Sequence, residues 1–167
     1  MISERFKYQM YLTSCMVLKK EDENEFVKRA IQKGLIKIKD NRITYHNGKS
    51  YNYNDPEEKV RARFYSQLIL KYDYPPENID TEVIPPRREP KLPADIVVYE
   101  TKDLEKVFIV VEVKAEPTEK NVKEARREGL GNSTLLDSKY LYLVCGEEEQ
   151  VFDVISKPPL KKLEDYR

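Results

Sequence analysis

Cysteine and histidine are scarce in this 167-residue chain, and their scarcity excludes several kinds of site. The two cysteines, Cys15 and Cys145, lie far apart in the sequence, and His46 is the only histidine. A zinc ribbon or an iron–sulfur cluster needs about four ligands, and a multi-histidine metal site or a His–Asn–His nuclease centre needs more than one histidine. Because a disulfide scaffold is not expected with so few cysteines, the sequence favours a cytoplasmic location.

The sequence also has no long apolar run. None approaches the roughly 18 residues that span a membrane, and Glu4, Arg5 and Lys7 interrupt the place where a signal peptide would be apolar. No membrane association is therefore predicted. The Gly48-Lys49-Ser50 tripeptide lacks the earlier glycine of a phosphate-binding P-loop. The sequence therefore shows no ATPase site of the P-loop type. The chemistry that remains rests on carboxylates, lysines and tyrosines, and oxygen ligands favour Mg²⁺ or Mn²⁺.

Charge is abundant but balanced, with 30 basic and 30 acidic residues. Residues 1–54 hold 11 Lys and Arg against 6 Asp and Glu, whereas the rest of the chain holds 19 against 24. This asymmetry fits a protein with one polyanion-facing side and one metal-binding side. It is equally compatible with chance on two solvated surfaces.

The chain is long enough for one domain with a small addition, since a domain takes roughly 100–200 residues. Residues 1–54 are predicted to form an N-terminal extension, with a short helix over residues 23–33 that ends at Gly34 and a β-hairpin over residues 35–45 that turns at Asp40-Asn41. Residues 55–156 are predicted to form the core, and residues 157–167 a charged tail.

The core is predicted to begin with a helix from Asp55 to about Tyr72. Asp55 and Glu58 have the spacing of a capping box, and Pro56 suits the first helical position. Glu57 falls on the packed stripe of this helix, with Arg61 one turn later and placed to pair with it. The remaining predicted elements are strands at 79–84, 94–99, 107–113, 140–145 and 151–155 and a helix over about 117–128, interrupted by Gly129 and Gly131. The strand–helix–strand order between Glu112 and Cys145 predicts a right-handed parallel crossover.

Three charged residues stand on otherwise apolar strands. Asp95 lies near the start of one strand, and Glu112 and Lys114 end the next, where strand geometry points both to the same face. Burying such charges is costly unless they have partners. If the two strands pair, Asp95 and Glu112 can bind one cation beside Lys114, the arrangement that phosphodiester hydrolysis requires. An ordinary strand-end ion pair and a turn residue would explain the same pattern without function.

Four segments resemble the N-terminal nuclease domain of type I restriction enzyme R subunits, within the PD-(D/E)xK nuclease superfamily. They are DPEEKVR (55–61), PADIVVY (93–99), VEVKA (111–115) and LLDSKYL (135–141). The resemblance implies an α/β (α+β) fold with a restriction-endonuclease-like core, in which a central mixed β-sheet is flanked by helices. It implies a Mg²⁺- or Mn²⁺-dependent DNA endonuclease whose metal ligands are Asp95, Glu112 and the Val113 carbonyl. Lys114 would act on the attacking water, and Glu57 would enter from the first helix.

The sequence departs from this family at two positions. Many relatives carry a Gln-x-x-x-Tyr motif, whose places are taken here by Glu128 and Asn132. The motor domains of the R subunit are absent, so the chain is expected to be either a fragment or a stand-alone protein of the same fold. The resemblance implies DNA as a partner, and motor, methylase or specificity subunits as further candidates.

The phosphate-contacting candidates are Arg87 and Arg88 in a basic loop and Lys120 and Lys123 on the following helix. A nuclease is the leading hypothesis. The alternatives are a non-cleaving module of the same fold that binds DNA or a partner, and a structural domain whose carboxylates form ordinary ion pairs.

Overall fold

The computed structural model describes residues 22–154, and the predicted tail at 157–167 lies outside them. The helices are α1 (Asp22–Gln32), α2 (Pro56–Leu70) and α3 (Glu119–Leu136). The strands are β1 (Lys37–Lys39), β2 (Arg42–Thr44), β3 (Ser50–Asn52), β4 (Ile79–Val83), β5 (Ala94–Tyr99), β6 (Val107–Lys114), β7 (Tyr140–Cys145) and β8 (Glu148–Asp153). In the described part, no helix has the length and apolar character to span a bilayer.

The five strands from β4 to β8 form one mixed sheet in which spatial order follows chain order. β6 and β7 are parallel, and every other neighbouring pair in this sheet is antiparallel. The parallel pair is connected by α3, which confirms that the strand–helix–strand connection is parallel, as predicted. The predicted fold class is therefore confirmed: a mixed central sheet is flanked by helices.

Different helices pack against the two faces of the five-stranded sheet. One face packs against α2, and α1 and the small sheet join the same hydrophobic cluster, which includes Ala30, Ile43, Phe64, Val111 and Tyr142. The opposite face packs against α3 through a second cluster that includes Val97, Val110, Ala125, Leu141 and Leu143. Val110 and Val111 fall in different clusters because successive side chains on a strand point to opposite faces.

The extension contains more structure than the predicted helix and hairpin. β1 and β2 pair through a turn in which Asp40 and Asn41 both have positive φ, as predicted for that turn. The short strand β3, which was not predicted, pairs with β2 and completes a three-stranded sheet. The β2–β3 turn at Gly48 has a positive φ of 83°, a conformation that glycine adopts without steric cost.

α3 is continuous to Leu136, so the predicted interruption at Gly129 and Gly131 is wrong. Both glycines allow a close approach rather than a break. A β-carbon at position 129 would lie 2.6 Å from Leu141 Cδ1 and 2.9 Å from Glu112 Cγ. The helix therefore lies closer to β6 and β7 than any residue with a side chain would permit. The last strand also begins earlier than predicted, at Glu148 instead of residue 151.

Candidate active site

Asp95 and Glu112 lie on the neighbouring central strands β5 and β6. The register that pairs Ile96 with Val111 places Asp95 opposite Glu112, as the sequence predicted. Oδ2 of Asp95 accepts a hydrogen bond from the Val113 backbone N–H at 2.7 Å. This contact fixes Asp95 against the segment that carries Glu112 and Lys114.

Burial strongly affects both carboxyl groups. It raises the pKa of Asp95 to about 6, although Arg61 and the Val113 N–H act in the opposite direction. Burial, followed by the charge of Asp95, raises the pKa of Glu112 well above its usual range. Burial of both carboxyl groups, and the charge of Asp95 acting on Glu112, make added positive charge favourable at this site.

Arg61 of α2 is the positive partner of Asp95. Its Nη2 lies 2.9 Å from Asp95 Oδ1 and also pairs with Glu82 on β4. Its Nη1 lies 3.2 Å from Glu58 Oε2. Arg61 thus pairs with carboxylates from three elements, and the predicted pairing with Glu57 is wrong. Burial would lower the pKa of Arg61, but these carboxylates together raise it, so the side chain stays a cation.

α3 supplies partners for Glu112 and Lys114. Asn132 donates from Nδ2 to Glu112 Oε1 at 2.7 Å, and both side chains are buried. Glu128 Oε2 accepts from Lys114 Nζ at 3.0 Å. Burial would lower the pKa of Lys114, but the hydrogen bond and charge of Glu128 raise it. Lys114 is therefore an ammonium at neutral pH.

The two glutamates that begin α2 have different surroundings. Glu57 is half-buried; burial raises its pKa and the nearby charge of Lys114 lowers it, which places Glu57 on the side of the candidate site. Glu58 was predicted to be a cap, and this is wrong. It is buried and accepts from the Tyr45 hydroxyl at 2.5 Å, whereas the Asp55 N–H that a capping box would satisfy donates to the Asn52 carbonyl. Asp55 does cap the helix, accepting from the Glu57 N–H at 2.9 Å.

The predicted DNA-contacting residues fall into two groups. Lys120 and Lys123 are exposed near the start of α3, where Lys123 pairs with Glu119. Arg87 is exposed, but Arg88 is partly buried. Its guanidinium lies over Gly131, where a β-carbon would come within 2.5 Å of Nη1. Arg88 therefore lies against the helix that also carries Glu128 and Asn132.

The donor atoms of this site suit a hard divalent cation. Asp95 and Glu112 supply carboxylate oxygens, and the two oxygens of a carboxylate together accept about four hydrogen bonds or metal bonds, so the contacts of Asp95 leave acceptor capacity. Asn132 Oδ1 is buried and accepts no hydrogen bond from the described residues, which leaves it available to a water molecule around a cation. Within residues 22–154, no three His, Cys, Asp or Glu side chains form a metal cage by themselves. The Val113 carbonyl and water would have to complete the coordination, as is usual for Mg²⁺.

Four residues that contact this network were not predicted to do so: Tyr45, Tyr51, Glu58 and Glu82. Of these, Glu58 was predicted only as a helix cap. Glu82 has a positive φ of 49° and accepts from Arg61. A detectable signal was the charge of Arg61 on the packed stripe of α2, because a buried arginine requires carboxylate partners. The sequence does not indicate that two of those carboxylates are Glu82 and Asp95, since each lies on a separate strand.

The fold, with Asp95 and Glu112 on the paired strands β5 and β6, defines an α+β protein whose mixed five-stranded sheet is flanked by helices. The family model of the type I restriction enzyme R protein N terminus matches residues 56–165, and the chain belongs to this family. Family membership supports a role in a restriction system, with DNA and other subunits of such a system as the partners it suggests. No curated protein matches the chain at a significant level.

Proposed function

We propose that this chain is a metal-dependent DNA endonuclease, with Mg²⁺ or Mn²⁺ as its cofactor. The observation that carries the proposal is the pairing of Asp95 with Glu112 across β5 and β6, next to Val113 and Lys114. Two neighbouring carboxyl groups away from solvent, with the charge of Asp95 raising the pKa of Glu112, impose a free-energy cost that a structural role does not require. A cation bound by them would offset this cost, which supports a catalytic role over an ordinary ion pair.

Each side chain has a defined task in this proposal. Asp95, Glu112 and the Val113 carbonyl would hold the cation, which would supply charge neutralisation at a phosphate and lower the pKa of an attacking water. Lys114 would orient that water or stabilise charge as the phosphorus is attacked. Glu128 holds the Lys114 ammonium at 3.0 Å, and Glu57 places a further carboxylate near the same ammonium.

Phosphate contacts would come from the basic residues around this site. Arg88 lies over Gly131, and Arg87, Lys120 and Lys123 are accessible on the loop and on α3. Contacts of this kind hold the DNA backbone and carry no direct sequence information. We therefore expect binding that depends strongly on salt and weakly on sequence.

A non-cleaving binding module of the same fold is the second candidate. The observation that favours it is that Arg61, Asn132 and Glu128 contact Asp95, Glu112 and Lys114, respectively. Such contacts could keep the side chains of a catalytically inactive site in place without a metal. Metal binding and strand cleavage separate the two candidates.

The decisive experiment measures nicking of supercoiled plasmid with Mg²⁺ or Mn²⁺ and no ATP. The wild-type protein should nick, and Asp95→Asn should lose both cleavage and most of its Mn²⁺ affinity in calorimetry. Lys114→Ala should lower cleavage at least ~100-fold, on the scale expected for one transition-state group, without weakening Mn²⁺ binding. Lys106→Ala, which removes an exposed lysine from the β5–β6 loop, is the control for loss of a charge. DNA binding without cleavage under either metal would favour the binding module.

A further inference from the structure

A line of buried polar contacts connects the N-terminal extension to Asp95. The Tyr45 side chain, which follows β2, is 3% exposed and donates its hydroxyl to Glu58 Oε1 at 2.5 Å. Glu58 Oε2 lies 3.2 Å from Arg61 Nη1, and Arg61 Nη2 lies 2.9 Å from Asp95 Oδ1. Asp95 in turn accepts from the Val113 N–H. One tyrosine of the extension is therefore three contacts away from a proposed metal ligand.

A second tyrosine of the extension contacts Arg61 directly. The Arg61 guanidinium carbon lies 5.0 Å from the centre of the Tyr51 ring, within the range of a cation–π interaction. The Tyr51 hydroxyl lies 3.1 Å from Thr81 Oγ1 on β4. Tyr45 and Tyr51 also contact each other, with ring centres 5.9 Å apart. Arg61 is thus held by carboxylates and by an aromatic face.

Because Arg61 and Glu58 are buried, the loss of one of their contacts would change the orientation of Asp95. Arg61 is 7% exposed and Glu58 is 5% exposed, and charges at such depth keep their positions only while their partners are in place. Without the Tyr45 hydroxyl, Glu58 would depend more strongly on Arg61. Arg61 also pairs with Asp95 and Glu82. A shift of the Arg61 side chain toward Glu58 would therefore leave the Asp95 carboxylate less well oriented.

We propose that Tyr45 and Tyr51 are positioning residues of the candidate active site, acting on Asp95 through Arg61. This inference rests on the proposed function, because it concerns the orientation of a metal ligand. Both tyrosines precede residue 56, where the match to the family begins. The extension would then be an integral part of the site, supplied by sequence outside the matched region.

The test compares Mn²⁺ affinity among four variants of the full chain by calorimetry. Tyr45→Phe and Tyr51→Leu should each weaken Mn²⁺ binding about 10-fold, the scale typical of groups that orient metal ligands. Tyr51→Phe retains the aromatic face and should recover most of the affinity that Tyr51→Leu loses. Thr81→Val is the control: it removes the hydroxyl that contacts Asn47 and Tyr51, so it should lower thermal stability and leave Mn²⁺ affinity within about 2-fold.

The outcomes distinguish a failure of this inference from a failure of the proposed function. If the wild-type protein binds Mn²⁺ and a folded Tyr45→Phe variant binds it equally well, the inference fails and the proposed function stands. Equal weakening by Thr81→Val also overturns the inference, because docking of the extension would then set the affinity. If Tyr45→Phe does not fold, the comparison of Tyr51→Leu with Tyr51→Phe decides. A wild-type protein that binds no Mn²⁺ overturns both proposals.

Discussion

Asn132 on α3 donates a hydrogen bond to Glu112 on β6 at 2.7 Å, deep in the protein and across the space that Gly129 leaves open. The family resemblance implies a tyrosine at the position of Asn132. In this chain the short amide side chain reaches the carboxylate because the helix approaches the strand closely. Asn132 therefore makes a polar contact with Glu112.

Removing that amide should destabilise the protein. Asn132→Ala leaves Glu112 without this donor, and the loss of a hydrogen bond to a buried charged group costs about 1–3 kcal/mol. Urea denaturation of the metal-free protein measures the change in free energy of unfolding. Thr134→Ala, at an exposed position of the same helix, should change it by less than about 0.5 kcal/mol. Equal changes in the two variants would contradict a specific role for Asn132.

Neutralising Glu112 should stabilise the metal-free protein at neutral pH while weakening Mn²⁺ binding. Because burial raises the pKa of Glu112 in the folded state, the ionised carboxylate opposes folding, and Glu112→Gln removes this cost. The folded protein also retains protons that the unfolded chain has lost, so wild-type stability should fall as pH rises from about 4, the ordinary pKa of a carboxyl group.

For Asp95 that fall should end near its folded pKa of about 6. Denaturant midpoints of the wild type and Glu112→Gln between pH 4 and pH 8 test both statements. A Glu112→Gln variant with the same pH slope as the wild type would show that folding does not raise the pKa of Glu112.

The two glycines of α3 should respond in opposite ways to alanine. Gly129→Ala places a β-carbon 2.6 Å from Leu141 Cδ1 and 2.9 Å from Glu112 Cγ, and overpacking of this kind costs roughly 1–3 kcal/mol. Gly131→Ala meets only the flexible end of Arg88, and alanine is favoured over glycine in a helix by about 1 kcal/mol. Thermal unfolding should therefore show a lower midpoint for Gly129→Ala and an unchanged or higher one for Gly131→Ala.

DNA affinity should depend on Arg88 and on salt. Arg88→Ala should weaken binding to unrelated duplexes by similar factors and reduce the slope of log affinity against log salt by about 1 if one phosphate contact is lost. Fluorescence anisotropy at several NaCl concentrations measures both quantities, and Lys102→Ala on the exposed β5–β6 loop is the control. An unchanged slope would place Arg88 outside the DNA contact.

The sequence predicted the central features of the fold because they have local causes. Asp95 and Glu112 stood out as charges on apolar strands, and the pairing of those strands followed from the short connection between them. Glu82 and Asp95 could not be predicted as partners of Arg61, since each lies on a strand far from it in sequence. Glu58 was misassigned because a capping box and a buried ion pair with Arg61 fit the same spacing. The continuity of α3 was missed because glycine propensity is a local preference, and close packing overrides it at Gly129.

The contacts between the β2–β3 turn and β4 also protect an edge of the large sheet. Asn47 donates to Asp80 and Thr81, and Lys49 donates to the Thr81 carbonyl at 2.6 Å. β4 is the first strand of its sheet, and an open edge strand can pair with another molecule and seed aggregation. The β2–β3 turn covers part of this edge with a lysine and a polar side chain, so the docked extension would also oppose edge-to-edge pairing with another molecule.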